Sequence, residues 1–142
     1  MKLSIVFILG LSILISESAF ACDDSKHPVL SSRKNDGTKV GLFIQEDKIK
    51  NTEEWVPDKG SPPFSITAAY KIIKEWAQEH YSRYDGVNVR EISLKRYECS
   101  SVPNLWYYLI DLNPVIDGNE LWGPGNWAAV LMDGTVIGAK EY

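Results

Sequence analysis

The sequence predicts an α+β domain in which one long helix packs on an antiparallel sheet of three to five strands, after an N-terminal signal peptide. Two observations lead to this fold class. Segment 66–81 repeats apolar residues every three or four positions, as an amphipathic helix does. The segments after it are short apolar runs separated by turn residues, as in a β-meander. A helix followed by several strands is typical of a two-layer domain.

Residues 1–21 have the three parts of a secretory signal peptide. Lys2 precedes an apolar run from Leu3 to Ile15, and Ala19-Phe20-Ala21 places small residues at the −3 and −1 positions that signal peptidase reads. This run is too short to cross a bilayer core, which needs about 20 residues. We therefore expect a periplasmic or secreted protein without a membrane span.

The remainder of the 142-residue chain has the length and composition of a single folded domain. A hydrophobic fraction of 44% and five tryptophans predict a packed core. The net charge is −4 and no basic stripe is present, so we do not expect a nucleic-acid partner. We therefore divide the chain into three parts. These are a signal peptide at 1–21, an N-terminal segment at 22–63 with one strand and a proline-rich loop, and an α+β domain at 64–142.

Two cysteines, Cys22 and Cys99, follow the predicted cleavage site. Cysteines of exported proteins usually pair, because the compartment is oxidising. We favour a Cys22–Cys99 disulfide, which would stabilise the domain by a few kcal/mol in the chain-entropy model. The alternative is a lipid anchor on Cys22, for which Ala19-Phe20-Ala21 is only a partial match, because a lipoprotein signal usually has Leu at −3 and a small residue at −2.

The predicted elements follow from local patterns. The apolar run 40–45 predicts a strand, and the three prolines and Gly60 within 52–63 predict a loop. Ser65 is a good N-cap for the helix, whose predicted apolar face includes Ile66, Ala69, Tyr70, Ile73, Ala77 and Tyr81. Apolar residues change parity near Glu91, which predicts a bulge or a twist in a strand at 87–97. Further strands are predicted at 105–112, 127–132 and 135–139, with a loop at 113–126 and a hairpin turn at Asp133-Gly134.

Motifs for catalysis are absent from the sequence. It has no Gly-x-Ser-x-Gly, no His-Glu-x-x-His and no phosphate loop, and only two histidines. We therefore expect no catalytic residues, no cofactor and no metal site. Four late carboxylates leave one alternative, a small carboxylate-dependent hydrolase, although acids in solvated turns are the simpler interpretation: Asp111, Asp117, Glu120 and Asp133.

The excess of aromatic residues is the strongest functional signal. Most of them fit the core of a sheet, but Trp122 lies in the Gly/Pro-rich loop, where it either folds back or faces a partner. Tyr107 is its expected companion, on the sheet face that the helix leaves uncovered. With Asn119 and Glu120 of the same loop, these residues form the predicted binding surface.

The capped helix start Ser65-Ile66-Thr67-Ala68-Ala69, the strand 106–111 and the closing strand pair 128–137 together form a recognisable layout. Over residues 65–142 this layout resembles a PepSY-type domain, a small secreted bacterial module, and it is similar to cystatin-like immunity proteins of the periplasm. The PepSY resemblance implies inhibition or chaperoning of peptidases, or cell-envelope regulation, without catalytic residues. We therefore expect a non-catalytic exported binding or inhibitory module. Its partner would be another protein: a peptidase, an envelope protein or, in the immunity-protein alternative, a toxin.

Overall fold

The computed structural model describes residues 26–142. Eight strands, two α-helices and one 3₁₀ turn follow one another in this part of the chain. Their bounds are β1 Leu30–Arg33, β2 Lys39–Leu42, α1 Glu46–Ile49, the 3₁₀ turn Pro57–Lys59, α2 Ile66–His80, β3 Gly86–Arg96, β4 Trp106–Ile116, β5 Asn119–Glu120, β6 Trp127–Leu131, β7 Val136–Gly138 and β8 Lys140–Glu141. The predicted signal peptide lies outside the described residues.

The strands form two antiparallel sheets, so the predicted α+β class is confirmed. The larger sheet has the order β3-β4-β6-β7, and β5 pairs with the end of β4. The smaller sheet has the order β1-β2-β8, because the C-terminal end of the chain pairs with β2 at Val40↔Glu141 and Gly41↔Lys140. The sequence did not predict this second sheet. The N-terminal segment contributes two short strands to it rather than one.

Helix α2 begins at the predicted N-cap, where the Ser65 hydroxyl accepts a hydrogen bond of 3.1 Å from the Ala68 N–H. It packs on the larger sheet through Ala69, Ile73 and Ala77, which are buried. Small alanines on both sides of Ile73 let the helix approach the strands closely. The predicted apolar face is therefore only partly correct, because Ile66 and Tyr70 at the start of the helix remain 55% and 49% exposed.

Strands β3 and β4 form the longest pair of the larger sheet, with β3 at its edge. Their register shifts between Val89 and Glu91, so the irregularity predicted near Glu91, a bulge or a twist, is a bulge. Strand β4 also continues beyond the predicted end at Leu112, through Pro114, as far as Ile116. Proline has no N–H to donate to a neighbouring strand, but its carbonyl can still accept a hydrogen bond. The Pro114 carbonyl accepts from the Leu121 N–H at 2.7 Å, so the neighbouring segment pairs with β4 at this position.

Apolar side chains form a core on each face of the larger sheet. One core lies between the sheet and α2. The other lies between the sheet and the N-terminal segment, whose Leu42, Ile44 and Ile49 pack against Tyr107 and Leu131. The Tyr97 hydroxyl donates to the Ile44 carbonyl at 3.1 Å. The face opposite the helix is therefore covered by residues from the described part of the N-terminal segment, 26–63, which share a core with residues of 64–142.

This shared core predicts cooperative unfolding. Ile49 is fully buried, so Ile49→Ala should lower the free energy of unfolding by about 2–4 kcal/mol while a single transition is retained. The exposed Glu79→Ala is the control and should change stability by less than about 0.5 kcal/mol. Denaturant unfolding followed by tryptophan fluorescence and by circular dichroism would check this. Two separated transitions, or an unchanged midpoint for Ile49→Ala, would contradict a common core.

Candidate protein-recognition surface

The hairpin that joins β4 to β5 carries the exposed aromatic side chain predicted from the sequence. Asp117 and Gly118 have positive φ values of 49° and 74°, as a two-residue type I′ turn requires. The Asn119 side-chain amide donates to the Asp117 carbonyl at 3.1 Å. The predicted loop at 113–126 thus begins as strand, then turns tightly and returns beside β4.

Hydrogen bonds connect this hairpin to the start of β3. The two carboxylate oxygens of Glu120 accept from the amides of Asn88 and Asn113 at 2.6 and 2.8 Å. Asn113 is only 3% exposed, so Glu120 also satisfies a buried amide. The Asp85 carboxylate accepts from the Asp117 N–H at 2.6 Å. Glu120 and Asn119 are therefore engaged in holding the hairpin together.

Trp122 follows this anchored turn and is 67% exposed. Its ring centroid lies 5.3 Å from the Arg90 guanidinium carbon, within the range of a cation–π contact. Arg90 also pairs with the Asp111 carboxylate at 3.3 Å. Because the guanidinium contacts both groups, it limits the positions available to the indole ring. Ile116 and Leu121 on the same hairpin are 39% and 38% exposed. Because the cation–π contact joins Arg90 to Trp122, we call these two residues the tip surface.

Tyr107 is not part of the tip surface. It is 6% exposed and lies in the core beneath the N-terminal segment, where burial raises the pKa of its hydroxyl. The face left uncovered by the helix is thus covered by other residues at this position. Among the four residues predicted to bind, Trp122 offers an exposed apolar side chain, and its companion is Arg90. The parity change near Glu91 is the sequence signal that could have identified Arg90, because a bulge changes the direction of a side chain.

The late carboxylates are distributed among separate roles. Asp117 lies in the hairpin turn, Glu120 anchors it, and the Asp133 carboxylate accepts from the Thr135 N–H at 2.9 Å in the β6–β7 turn. Asp111 faces a groove of about 120 Å³ that also contains Glu91, its partner across the strand pair. Small-molecule sites usually measure about 300–1,000 Å³, so this groove is too small to enclose a typical substrate.

Within residues 26–142, no group of three or more His, Cys, Asp or Glu side chains is placed to hold a metal ion. None of the helices in that range has both the length and the apolar character needed to span a bilayer. Cys99 packs at the margin of the second core. Its predicted partner Cys22 lies outside the described residues, so the disulfide and the alternative lipid anchor stay predictions.

Comparisons with known proteins give no family for this chain. No family model matches it, and no match was found among the curated proteins or among the solved structures. The resemblance to PepSY-type and cystatin-like domains therefore stays a prediction. Function has to be inferred from the chemistry of the surface, because a shared fold class carries no function.

The Glu120 anchor predicts a pH-dependent hairpin. Hydrogen bonds from Asn113 and then Asn88 lower the pKa of the Glu120 carboxyl from its usual 4.5. A carboxyl whose pKa is lowered on folding stabilises the fold above its unfolded pKa, and this stabilisation is lost as the pH falls through the folded pKa. The side-chain amide resonances of Asn113 should therefore titrate with a midpoint below 4.5 in NMR spectra.

The control for this titration is Glu120→Gln, in which the Asn113 amide should no longer respond over that pH range. A midpoint at or above 4.5 in the unaltered protein, or the same titration in the variant, would show that the carboxylate is not the anchor.

Proposed function

We propose that the chain is a non-catalytic exported module of the bacterial cell envelope, which binds another protein through the tip surface. The observation that carries this proposal is Trp122, which is 67% exposed on a hairpin held by hydrogen bonds at its base. Tryptophan and arginine are enriched among the residues that dominate binding energies at protein interfaces. Trp122 lies over Arg90, so one residue of each kind is combined in a single contact.

The anchoring of the hairpin supports recognition rather than a merely structural role. A loop that is ordered before binding loses less conformational entropy when a partner arrives, so more of the contact energy appears as affinity. Glu120 joins the hairpin to both β3 and β4, while leaving Trp122 exposed. A tryptophan needed only for stability would be expected to bury its ring, because burial of an aromatic side chain is worth about 1.5–3 kcal/mol.

The charge on the tip surface limits the chemistry of the partner. Arg90 is paired with Asp111, so the surface presents an aromatic patch over an already neutralised cation. Such a patch suits an apolar or aromatic pocket rather than a strongly charged one. The proposed partner classes are a peptidase, an envelope protein or a toxin. Identification of the captured protein distinguishes the two functions, because a toxin would indicate immunity and a peptidase would indicate inhibition.

Removal of the indole ring tests the proposal. Trp122→Ala should reduce affinity for the partner by about 30-fold or more, as for an interface residue that contributes about 2 kcal/mol. Because Trp122 is exposed, the melting temperature should remain almost unchanged. The partner would be identified by capture from envelope extract with quantitative mass spectrometry, then purified for titration calorimetry.

The matched control is Tyr142→Ala, which removes another exposed aromatic ring, 52% exposed, near the end of the chain. It should retain the partner, and Trp122→Phe should restore part of the affinity. Equal retention by Trp122→Ala and the unaltered protein would refute the tip surface as the binding site. So would equal loss in both alanine variants.

A further inference from the structure

A groove of about 390 Å³ lies between the start of α2 and the outer edge of β3. Its lining includes Pro62, Ile66, Ile92, Leu94 and Tyr108. Ile66 is 55% exposed although it belongs to an otherwise amphipathic helix. The groove is therefore an apolar channel that runs beside an edge strand, on the opposite face of the sheet from Tyr107.

The backbone of β3 along this groove directs its hydrogen-bonding groups away from the sheet. On β4, the Leu112 N–H donates to the Asn126 carbonyl at 2.8 Å, on the side away from β3. Alternate residues of an antiparallel strand point to the same side, so the backbone groups of Ile110 do so as well. Its partner Ile92, and Leu94 two residues later, therefore direct their N–H and C=O groups outward. Within residues 26–142, no strand pairs with this edge of β3.

Two cations lie along the outer edge of β3, beyond the residues that line the groove. At one end, the Lys74 ammonium donates to the Val87 carbonyl at 2.7 Å and so occupies the first part of the edge. At the other end, Arg96 is the last residue of β3. It is exposed, and by alternation along the strand it shares the helix-facing side with Ile92 and Leu94. The open section of edge therefore covers 92–96. Its helix-facing side chains are the apolar Ile92 and Leu94, followed by the cation Arg96.

We propose that this edge binds an extended segment of another protein, which adds as a sixth strand beside β3 with apolar side chains at alternate positions and a carboxylate near each end. Main-chain hydrogen bonds to the outward groups at 92–96 would provide affinity, and the groove would select the alternate side chains. Lys74 and Arg96 specify the carboxylates by charge complementarity. The proposal is independent of the tip surface, because the groove and Trp122 share no residue.

A synthetic peptide tests this inference with the purified protein alone. The probe is the blocked heptapeptide Glu-Thr-Ile-Thr-Val-Thr-Glu, which places both carboxylates on the same side as the apolar residues. It should shift the backbone amide resonances of 92–96 in NMR titrations. The matched peptide with lysine in place of both glutamates should bind about tenfold more weakly. The acidic peptide with alternate backbone nitrogens methylated should not bind, because methylation removes the N–H donors.

Two variants locate the bound peptide. Ile66→Ala should weaken the acidic peptide by about five- to tenfold, since part of a half-buried contact is lost, while Glu79→Ala on the outer side of α2 should have no effect. Absence of binding by the acidic peptide at millimolar concentration would overturn the proposal. Equal binding of the N-methylated peptide, resonance shifts confined to the tip surface, or self-association of the protein through β3 would overturn it too. None of these outcomes bears on the effect of Trp122→Ala on the captured partner.

Discussion

Both faces of β4 are buried, and this constraint organises the molecule. Tyr107 and Tyr108 are adjacent and point to opposite faces of the sheet, yet they are only 6% and 3% exposed. A single helix can cover only one face of a sheet, so a second layer is needed for the other. The N-terminal segment supplies it with Leu42, Ile44 and Ile49. Exposure of three such aliphatic side chains instead would cost about 1.5–3 kcal/mol each.

Two tyrosine hydroxyls of this double core donate to main-chain carbonyls. The Tyr108 hydroxyl donates to the Phe64 carbonyl at 2.7 Å, just before the N-cap of α2, and the Tyr97 hydroxyl donates to the Ile44 carbonyl. Among the described residues, no buried side-chain nitrogen or oxygen lacks a hydrogen-bond partner. Each hydroxyl thus connects the central sheet to one of the layers that cover it.

One extra residue in β3 determines how the two surfaces are arranged. The bulge between Val89 and Glu91 directs Arg90 towards Asp111 and Trp122. It also divides the outer edge of β3 into two parts. The first part is occupied by Lys74 at Val87, and the second remains open beside the groove. The tip surface and the open edge therefore lie on either side of the same irregularity.

Much of the main sheet could be predicted because it depends on local signals. Ser65 indicated the start of the helix, and the changed parity of apolar residues indicated an irregularity in β3. Asp133-Gly134 indicated a hairpin turn, in which Gly134 has a φ of 87°. The smaller sheet depends on pairs far apart in sequence, such as Val40↔Glu141. Strand β1 has the sequence Leu-Ser-Ser-Arg, which shows little strand character without its partner.

The candidate site was predictable only where a single residue defines it. A tryptophan in a Gly/Pro-rich loop identified Trp122, whereas its contact with Arg90 joins positions 32 residues apart. Alternation assigned Tyr107 to the face away from the helix, but it could not show what covers that face. Asn113-Pro114 was interpreted as the start of a loop, because proline rarely continues a central strand. Pro114 nevertheless lies within β4, because the segment that contains Leu121 pairs with its carbonyl. This pairing depends on tertiary structure and is not visible in the local sequence.

The edges of the two sheets differ in how much they expose to other chains. β1 has four residues and β7 has three, whereas β3 has eleven. Long edge strands invite unwanted pairing, and proteins protect them with bulges, lysines and other charges. The bulge and Lys74 protect the first half of β3, while the second half retains exposed Lys95 and Arg96. These cations repel basic segments but not acidic ones. The charge that limits indiscriminate pairing would therefore also select an acidic partner strand, since repulsion of the wrong partner is itself a source of specificity.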